Sequence, residues 1–189
     1  TGETARKHNA NTVLASLSSM AGDFVVATAG PDLESVLSAK GAGADAFSEE
    51  HRQAVANIDI GGGTSNIALF QKGNLKGTSC LDIGGRLIKI ENGRISYIFP
   101  KIQKLAEAHG IHIAVGDRAE ETVLYKICEY MADQLAMAIH AREADSLHAG
   151  LYTNDGKPLT SEPKIDAITY SGGVASCYYN GEPANVFEY

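Results

Sequence analysis

The 189-residue sequence lacks the features that would link it to nucleic acid or to a membrane. It has no run of basic residues, and its formal net charge is -7, from 16 basic and 23 acidic residues. Nucleic-acid-binding domains need a clustered positive surface, so nucleic acid is not an expected partner. No stretch approaches the roughly 20 apolar residues of a membrane-spanning helix, and no secretory leader is visible. We therefore expect no membrane partner either.

Cysteine is scarce, and histidine has no neighbours that would complete a metal site. The sequence contains three cysteines: Cys80, Cys128 and Cys177. Their odd number and wide spacing are typical of reduced intracellular thiols, not of a disulfide framework or a zinc site. His109 and His112 lie close together, but no Cys or carboxylate cluster surrounds them. We interpret this pair, with His140 and His148, as solvated helix residues.

The first half of the chain has the pattern of an α/β protein with many strands. Residues 24–27 predict a short buried strand, and Pro31 predicts the start of a helix that ends at Lys40-Gly41. Residues 41–48 are small and permissive, which favours a loop. Apolar alternation then predicts five strands. They form a group of three (55–60, 65–71 and 75–81) and a hairpin (86–90 and 94–99).

The second half is richer in helix. Residues 100–108 predict a short helix, and Asp117 with Glu120 predicts the cap of a long helix that ends near Leu147. Apolar residues at spacings of three and four predict one buried stripe on this helix: Leu124, Ile127, Met131, Leu135 and Ile139. A polar loop, 152–164, precedes a buried strand, 165–170, that leads directly into two glycines.

Two glycine clusters directly follow predicted strands, and both suit phosphate chemistry. The first is Asp59-Ile60-Gly61-Gly62-Gly63-Thr64, and the second is Ser171-Gly172-Gly173. Glycine-rich turns can point successive N–H groups at one anion. A carboxylate beside such a turn repels phosphate unless a cation lies between them, which favours a hydrated Mg²⁺ ion or a positioned water at Asp59. A plain hairpin turn remains an alternative for the first cluster, and a strand-to-helix turn for the second.

The first cluster, with strands on both sides, resembles the second phosphate-binding hairpin of the actin-like ATPase superfamily. Residues 171–174, Ser-Gly-Gly-Val, resemble the adenosine loop of that superfamily. The resemblance implies an α/β fold: a ribonuclease H-like, actin-like ATPase lobe with a mixed β-sheet and flanking helices. It further implies that Gly61, Gly62, Gly63 and Thr64 bind phosphate, and that Ser171, Gly172 and Gly173 adjoin the nucleoside. Asp59 is implied as the catalytic residue, holding Mg²⁺ through water.

Longer motifs narrow the resemblance to one family. They are TGETAR at residues 1–6, GDFVVATAGPDLESVLSAKGAGA at 22–44, LDIGGRLI at 81–88 and YSGGVASCYY at 170–179. All resemble the reactivating factor of ethanolamine ammonia-lyase. This implies a chaperone-like protein that uses ATP or ADP with Mg²⁺ to release damaged cobalamin from the lyase, with no tightly bound cobalamin of its own. The implied location is the bacterial cytoplasm, near an ethanolamine-utilisation microcompartment, and an oligomer is possible.

The resemblance also implies that this chain is part of a two-lobed protein. Residues 1–53 would end the first lobe, and 54–189 would form the phosphate-binding and adenosine-binding part of the second. The chain starts without Met, and the first phosphate loop of the superfamily is expected upstream of it. We therefore expect slow ATPase activity from the full-length protein and little or none from this chain.

Three further residues are candidates for the site, and two other functions remain open. Glu3 lies in a stretch that the resemblance marks, although a helix cap explains it equally well. Gly84 and Gly85 form either a bulge between strands, which we favour, or a close approach to the nucleotide. The alternative functions on the same fold are a sugar-kinase-like phosphotransferase and a non-catalytic actin-like assembly module.

Overall fold

A computed structural model describes residues 31–154 and 156–180 of the chain. The predicted strand at 24–27 and Glu3 lie outside these described residues. The helices are α1 (Pro31–Gly41), α2 (Ala44–His51), α3 (Pro100–Ala108), α4 (Glu121–Ala138) and α5 (Gly172–Asn180), with a short 3₁₀ helix at His148–Leu151. The strands are β1 (Ala54–Ile60), β2 (Ser65–Gln71), β3 (Asn74–Leu81), β4 (Ile88–Glu91), β5 (Arg94–Ile98) and β6 (Ala167–Ser171).

The main sheet has four strands in the order β3-β2-β1-β6. β1, β2 and β3 form an antiparallel meander, whereas β6 lies parallel to β1, with Asp59 opposite Ser171. The turn between β2 and β3 uses Lys72 and Gly73, both with positive φ, as a tight hairpin requires. The predicted fold class, an α/β fold with a mixed sheet and flanking helices, is confirmed for the described residues.

Both faces of β1 are buried, which explains its nearly continuous apolar sequence. Ala56 and Ile58 face one core with the end of α4, whereas Val55 faces another core with Ala39 of α1 and Ala44 of α2. A strand covered on both sides cannot show strict alternation. Helices α1 and α2 therefore pack against the main sheet, which contains β1. The division of the chain into two lobes at residue 53 stays a prediction.

Helix α4 joins the main sheet to a second core, which contains the β4–β5 hairpin and α3. Ile127 lies in the second core, Leu135 and Ile139 lie in the main core, and Met131 packs against both. The predicted stripe is therefore confirmed as core, with Leu124 half-buried at its start. Because one rigid helix contributes to both cores, the position of the hairpin is fixed relative to the sheet.

The predicted loop at 41–48 is wrong, because α2 begins at Ala44. Gly43 adopts a left-handed conformation (φ 74°) and allows the chain to turn between α1 and α2. Ala44 and Ser48 are fully buried against the sheet. Small residues suggested flexibility, but here their size allows close packing of a helix on strands.

The long helix is also shorter than predicted at its C-terminus, ending at Ala138 instead of near Leu147. His140 adopts a positive φ of 57°, and the carboxylate of Asp145 accepts hydrogen bonds from the N–H groups of Leu147 and His148. Such local side-chain bonds compete with helical ones. At the other end, Asp117 bonds to Ala114 N and does not cap the helix.

His148 corrects a further prediction, since it is buried whereas His109, His112 and His140 are exposed. The early end of α4 lets the chain return, so that the 3₁₀ helix places the His148 ring between Gln134 and Tyr152.

Within the described ranges, no helix is both long and apolar enough to cross a membrane.

Candidate functional site

The first glycine cluster forms a tight connection between β1 and β2. The N–H of Gly61 donates a hydrogen bond to the carbonyl oxygen of Thr64, 2.9 Å away, which closes the turn. Gly62 and Gly63 are exposed at its tip, while Thr64 is half-buried at its exit. Asp59 lies two residues before the turn and is also half-buried. The turn therefore presents bare main chain to solvent directly after a buried strand.

The second glycine cluster brings the start of α5 against the end of β1. Gly172 has a φ of +88°, and a β carbon there would lie 2.5 Å from the carbonyl oxygen of Ile60 and overlap the carboxylate of Asp59. Only glycine can occupy this position without displacing the strand. The N-terminus of α5 is thus held beside Asp59, and the two glycine clusters meet.

A buried amide links β1 to β6 just below this meeting point. The Nδ2 of Asn57 donates to the hydroxyl oxygen of Ser171 (3.0 Å), and the Thr169 hydroxyl donates to the Oδ1 of Asn57 (2.8 Å). Asn57 is completely buried. Because a buried amide without partners is costly, these bonds favour one register of β6 on β1. They also hold the Ser171 side chain in place.

Gly84 and Gly85 lie in the connection between β3 and β4 and pack on the first glycine cluster. The N–H groups of Gly85 and Arg86 donate to the carbonyl oxygens of Gly61 (2.9 Å) and Gly62 (2.7 Å). The predicted bulge is therefore wrong at these residues, which belong to no strand ladder. Loop 82–86, as we call residues 82 to 86, instead lines the side of the glycine turn.

These three segments line an open pocket of about 230 Å³. Its lining residues are Gly61, Gly62, Gly85, Arg86, Gly173, Val174 and Cys177. Four of the predicted site residues, one or more from each glycine segment, thus share one pocket. Of the other predicted residues, Asp59, Ser171 and Gly172 do not line the pocket, and Gly172 lies against Asp59. Gly84 is buried against the main chain of Gly62. Gly63 and Thr64 complete the turn.

The glycine turn and the start of α5 have main-chain N–H groups that are available to an anion. Among hydrogen bonds between described residues, none uses the N–H of Gly62 or of Gly63. The first N–H groups of a helix also lack intrahelical partners, and the helix dipole makes its N-terminus positive. α5 begins at Gly172, so this end of the helix adjoins the pocket. The N-terminus of a helix is a common binding site for phosphate groups.

A metal ion at this site would have few protein ligands. The described part of the chain contains no group of three His, Cys, Asp or Glu side chains that could hold a metal ion. Asp59 supplies a single carboxylate near the pocket. Mg²⁺ commonly keeps several waters and needs only one or two carboxylates when it accompanies a bound phosphate. A hydrated Mg²⁺ ion therefore fits this site, whereas a zinc site does not.

A network of polar groups connects loop 82–86 to helices α3 and α4. The Nζ of Lys101, on α3, binds the Oδ2 of Asp82 (2.6 Å) and the carbonyl oxygen of Tyr152 (2.9 Å). The Tyr152 hydroxyl contacts the Nε2 of His148, whose Nδ1 contacts the Oε1 of Gln134. Burial raises the pKa of Tyr152 and lowers that of His148, and the network therefore contains neutral rings at neutral pH.

The sequence patterns did not identify Asn57, Cys177 or Arg86 as site residues. Asn57 is a polar residue inside an apolar strand, which could have marked it as a buried hydrogen-bonding group. Cys177 follows Gly173 by four residues, so a helix beginning at the glycines places both on one face. Arg86 gives no sequence pattern of its own. Its role depends on a contact between segments more than 20 residues apart.

Comparison with known proteins identifies the family of this chain. The family model described as ethanolamine utilisation protein EutA matches residues 1–189. The ethanolamine ammonia-lyase reactivase EutA of Salmonella typhimurium is 40% identical over 188 residues, which is 99% of this chain and 39% of that protein. The protein of the same name from Escherichia coli K12 is 39% identical over 191 residues, again 99% of this chain and 39% of the relative.

The chain thus spans about two-fifths of the length of the curated relatives that it matches. Among solved structures, it is similar to the Ppx/GppA family member of Aquifex aeolicus, with a TM-score of 0.44 and 19% identity. That similarity covers 94% of this chain and 44% of the other.

Proposed function

Because the chain belongs to the ethanolamine utilisation protein EutA family, we propose that its full-length protein reactivates adenosylcobalamin-dependent ethanolamine ammonia-lyase. Binding of ATP or ADP controls how tightly the protein holds the lyase. Damaged cobalamin leaves during this cycle, and intact adenosylcobalamin enters. Binding energy here shifts a conformational equilibrium, and hydrolysis can therefore be slow. The observation that carries the proposal is the pocket shared by the two glycine clusters, together with the unused N–H groups of the glycine turn.

In this proposal, the glycine turn binds the polyphosphate. The N–H groups of Gly62 and Gly63 donate to phosphate oxygens, and Gly61 keeps the turn closed through its bond to Thr64. The N-terminus of α5 adds favourable electrostatic potential. Gly173 lets the nucleoside approach the main chain, and Ser171, held by Asn57, adjoins the same edge. Thr64 adds a hydroxyl at the exit of the turn.

Asp59 positions the hydrated cation and the water beside the terminal phosphate. Its carboxylate is kept near the pocket by the close contact with Gly172. ATP supplies a phosphoanhydride bond whose cleavage makes the cycle directional. The protein groups orient, neutralise and exclude solvent. Because the chain covers only about two-fifths of its relatives, the rest of the protein would complete the nucleotide site, and this chain alone would show little or no hydrolysis.

The proposal extends to partners and location. The protein partner is ethanolamine ammonia-lyase, and the damaged cobalamin belongs to the lyase, with none tightly bound to the reactivating protein. We place the protein in the bacterial cytoplasm, associated with the ethanolamine-utilisation microcompartment. Residues 1–53 would close the first lobe and 54–189 would belong to the second. An oligomer remains compatible with this assignment.

The test uses lyase inactivated with hydroxocobalamin and incubated with full-length protein, ATP, Mg²⁺ and fresh adenosylcobalamin. The parent should restore activity, and Asp59→Asn should lower the recovery rate at least about tenfold, since it removes the charge but keeps the side-chain shape beside Gly172. Asp133→Asn, at a solvent-exposed ion pair on α4, is the matched control. No recovery with the parent would refute the function, and full recovery with Asp59→Asn would refute the role of Asp59.

The same samples separate the alternative functions. A phosphorylated small molecule formed from ATP would indicate a sugar-kinase-like enzyme instead. Nucleotide-dependent filaments without lyase recovery would indicate an assembly module.

A further inference from the structure

We infer that Arg86 binds the polyphosphate of the nucleotide and makes the pocket prefer nucleoside di- and triphosphates over the free nucleoside. This inference rests on the proposed nucleotide function. It concerns a residue to which neither the sequence patterns nor the comparisons give a role.

The main chain of Arg86 is held at the glycine turn. Its N–H donates to the carbonyl oxygen of Gly62 over 2.7 Å, and the preceding N–H, of Gly85, donates to Gly61 over 2.9 Å. Two successive hydrogen bonds fix both the position and the direction of this part of loop 82–86. The Cα of Arg86 therefore cannot move independently of the turn that we propose to bind phosphate.

The side chain of Arg86 extends along the same turn. A β carbon at Gly62 would lie 3.3 Å from its Cδ and 3.7 Å from its Nε. The absence of a side chain at position 62 thus leaves the space that the arginine stem uses. The stem lies beside the residue whose N–H is unused, and Arg86 lines the pocket together with Gly62 and Gly173.

Arg86 differs from the other residues that line the pocket because its side chain is charged. The remaining lining residues are four glycines, Val174 and Cys177, so Arg86 alone among them has a charged side chain. Guanidinium groups bind phosphate in a bidentate geometry and remain charged at all accessible pH values. In a chain of net charge -7, a fixed cation at this position offsets repulsion between the protein and a polyanionic ligand.

A packing role for the arginine stem makes a different prediction. If the methylene groups only shield the turn, a variant that retains them should bind every ligand as the parent does. If the guanidinium binds phosphate, loss of the charge should weaken binding of ADP and ATP but not of adenosine. The two roles are therefore separated by comparing ligands within one variant.

The experiment measures binding of ATP, ADP and adenosine to the full-length protein by titration calorimetry with Mg²⁺. We expect Arg86→Gln to weaken ATP and ADP binding about 10- to 100-fold, the range of a lost charge-assisted hydrogen bond, while adenosine binding changes less than about twofold. Arg86→Lys should recover part of the loss, because it restores the charge without the bidentate geometry. Arg142→Gln, which removes an arginine from a solvent-exposed ion pair, should match the parent for all three ligands.

Two results would overturn this inference but leave the proposed nucleotide function intact. One is ATP binding by Arg86→Gln as tight as in the parent, and the other is an equal loss for adenosine and ATP. A parent protein that binds none of the three ligands would overturn the nucleotide function and this inference together. Lyase recovery measured on the same protein would then show whether reactivation proceeds without a nucleotide.

Discussion

The Cα of Gly84 packs against the main chain of Gly62, so closely that a β carbon at position 84 would lie 2.6 Å from the Gly62 carbonyl oxygen and 2.7 Å from the nitrogen of Gly63. These are backbone atoms, which cannot rotate away as a side chain can. Gly84 is buried, and the following two residues donate hydrogen bonds to the same turn. The shape of the glycine turn therefore depends on a residue that does not itself line the pocket.

Gly84→Ala should move loop 82–86 away from the turn. We expect the free energy of unfolding to fall by about 1–3 kcal/mol, as for overpacking in a tight site, and nucleotide affinity to fall at least about tenfold. Urea unfolding and titration calorimetry measure the two effects. Gly150→Ala is the control, because a β carbon there has no heavy atom within 4 Å and the residue has no positive φ. Normal stability of the Gly84→Ala variant would contradict the packing that we describe.

Asn57→Ala should destabilise the protein by about 1–3 kcal/mol, because it removes a fully buried amide and leaves two half-buried hydroxyl groups without their partner. The hydroxyls are those of Ser171 and Thr169, which bond to the Asn57 side chain. A double-mutant cycle with Ser171→Ala, measured by urea unfolding, should give a coupling energy of about 0.5–1.5 kcal/mol. Additive effects of the two substitutions would indicate that the Asn57–Ser171 bond contributes nothing to stability.

Local sequence patterns predicted the strands found among the described residues and the two separate glycine clusters, because both features depend on neighbouring residues. β2 and α3 have the predicted bounds, and the Asn92-Gly93 turn has the positive φ values that its sequence favours. Alternating apolar residues and an Asn-Gly pair act over a few residues, so no knowledge of the fold is needed to recognise them.

Features that depend on distant contacts were not predictable. Loop 82–86 became part of the pocket through hydrogen bonds to the glycine turn, which lies in another segment of the chain, and Asn57 meets Ser171 across 114 positions. The helix at Ala44 was missed because small residues are compatible with a loop, and only the sheet that covers them selects the helix. Burial of His148 likewise follows from the end of α4 at Ala138, after which the chain returns and brings His148 to Gln134 and Tyr152.

His148 should make stability depend on pH near neutrality. Burial lowers its pKa from the ordinary 6.5, and His140 acts in the same direction, while Asp145 partly opposes them. A group with a lowered pKa binds its proton more readily in the unfolded chain, so acid favours unfolding. Its contribution is intact above about pH 7 and is lost as the pH falls through about 6.5 toward the folded-state pKa, at up to about 1.4 kcal/mol per pH unit.

Urea unfolding of the parent and of His148→Gln between about pH 7.5 and 5.5 measures this contribution. We expect the variant to be less stable at neutral pH but to have a flatter pH dependence. His112→Gln, at an exposed position, should keep the slope of the parent. The pKa of Asp145 is also lowered despite the opposing effect of its burial, because Gln134 and two backbone N–H groups donate to it, so it titrates below this window. Equal slopes for His148→Gln and the parent would refute the assignment.

Lys101→Met should lower both the stability of the protein and its affinity for nucleotide, because Lys101 connects α3 to loop 82–86. Its ammonium group binds the carboxylate of Asp82 and the carbonyl of Tyr152, and both ion-pair partners are largely shielded from solvent. Removing the cation leaves these oxygens without a partner, at an expected cost of about 1–2 kcal/mol in urea unfolding. Since Asp82 begins the loop that holds Gly85 and Arg86 on the glycine turn, ATP affinity should fall about three- to tenfold as well.

Lys104→Met, at an exposed position of the same helix, should alter neither quantity. If Lys101→Met lowered stability but left ATP affinity unchanged, the loop would keep its position without this ion pair, and the hydrogen bonds to Gly61 and Gly62 would be sufficient to hold it.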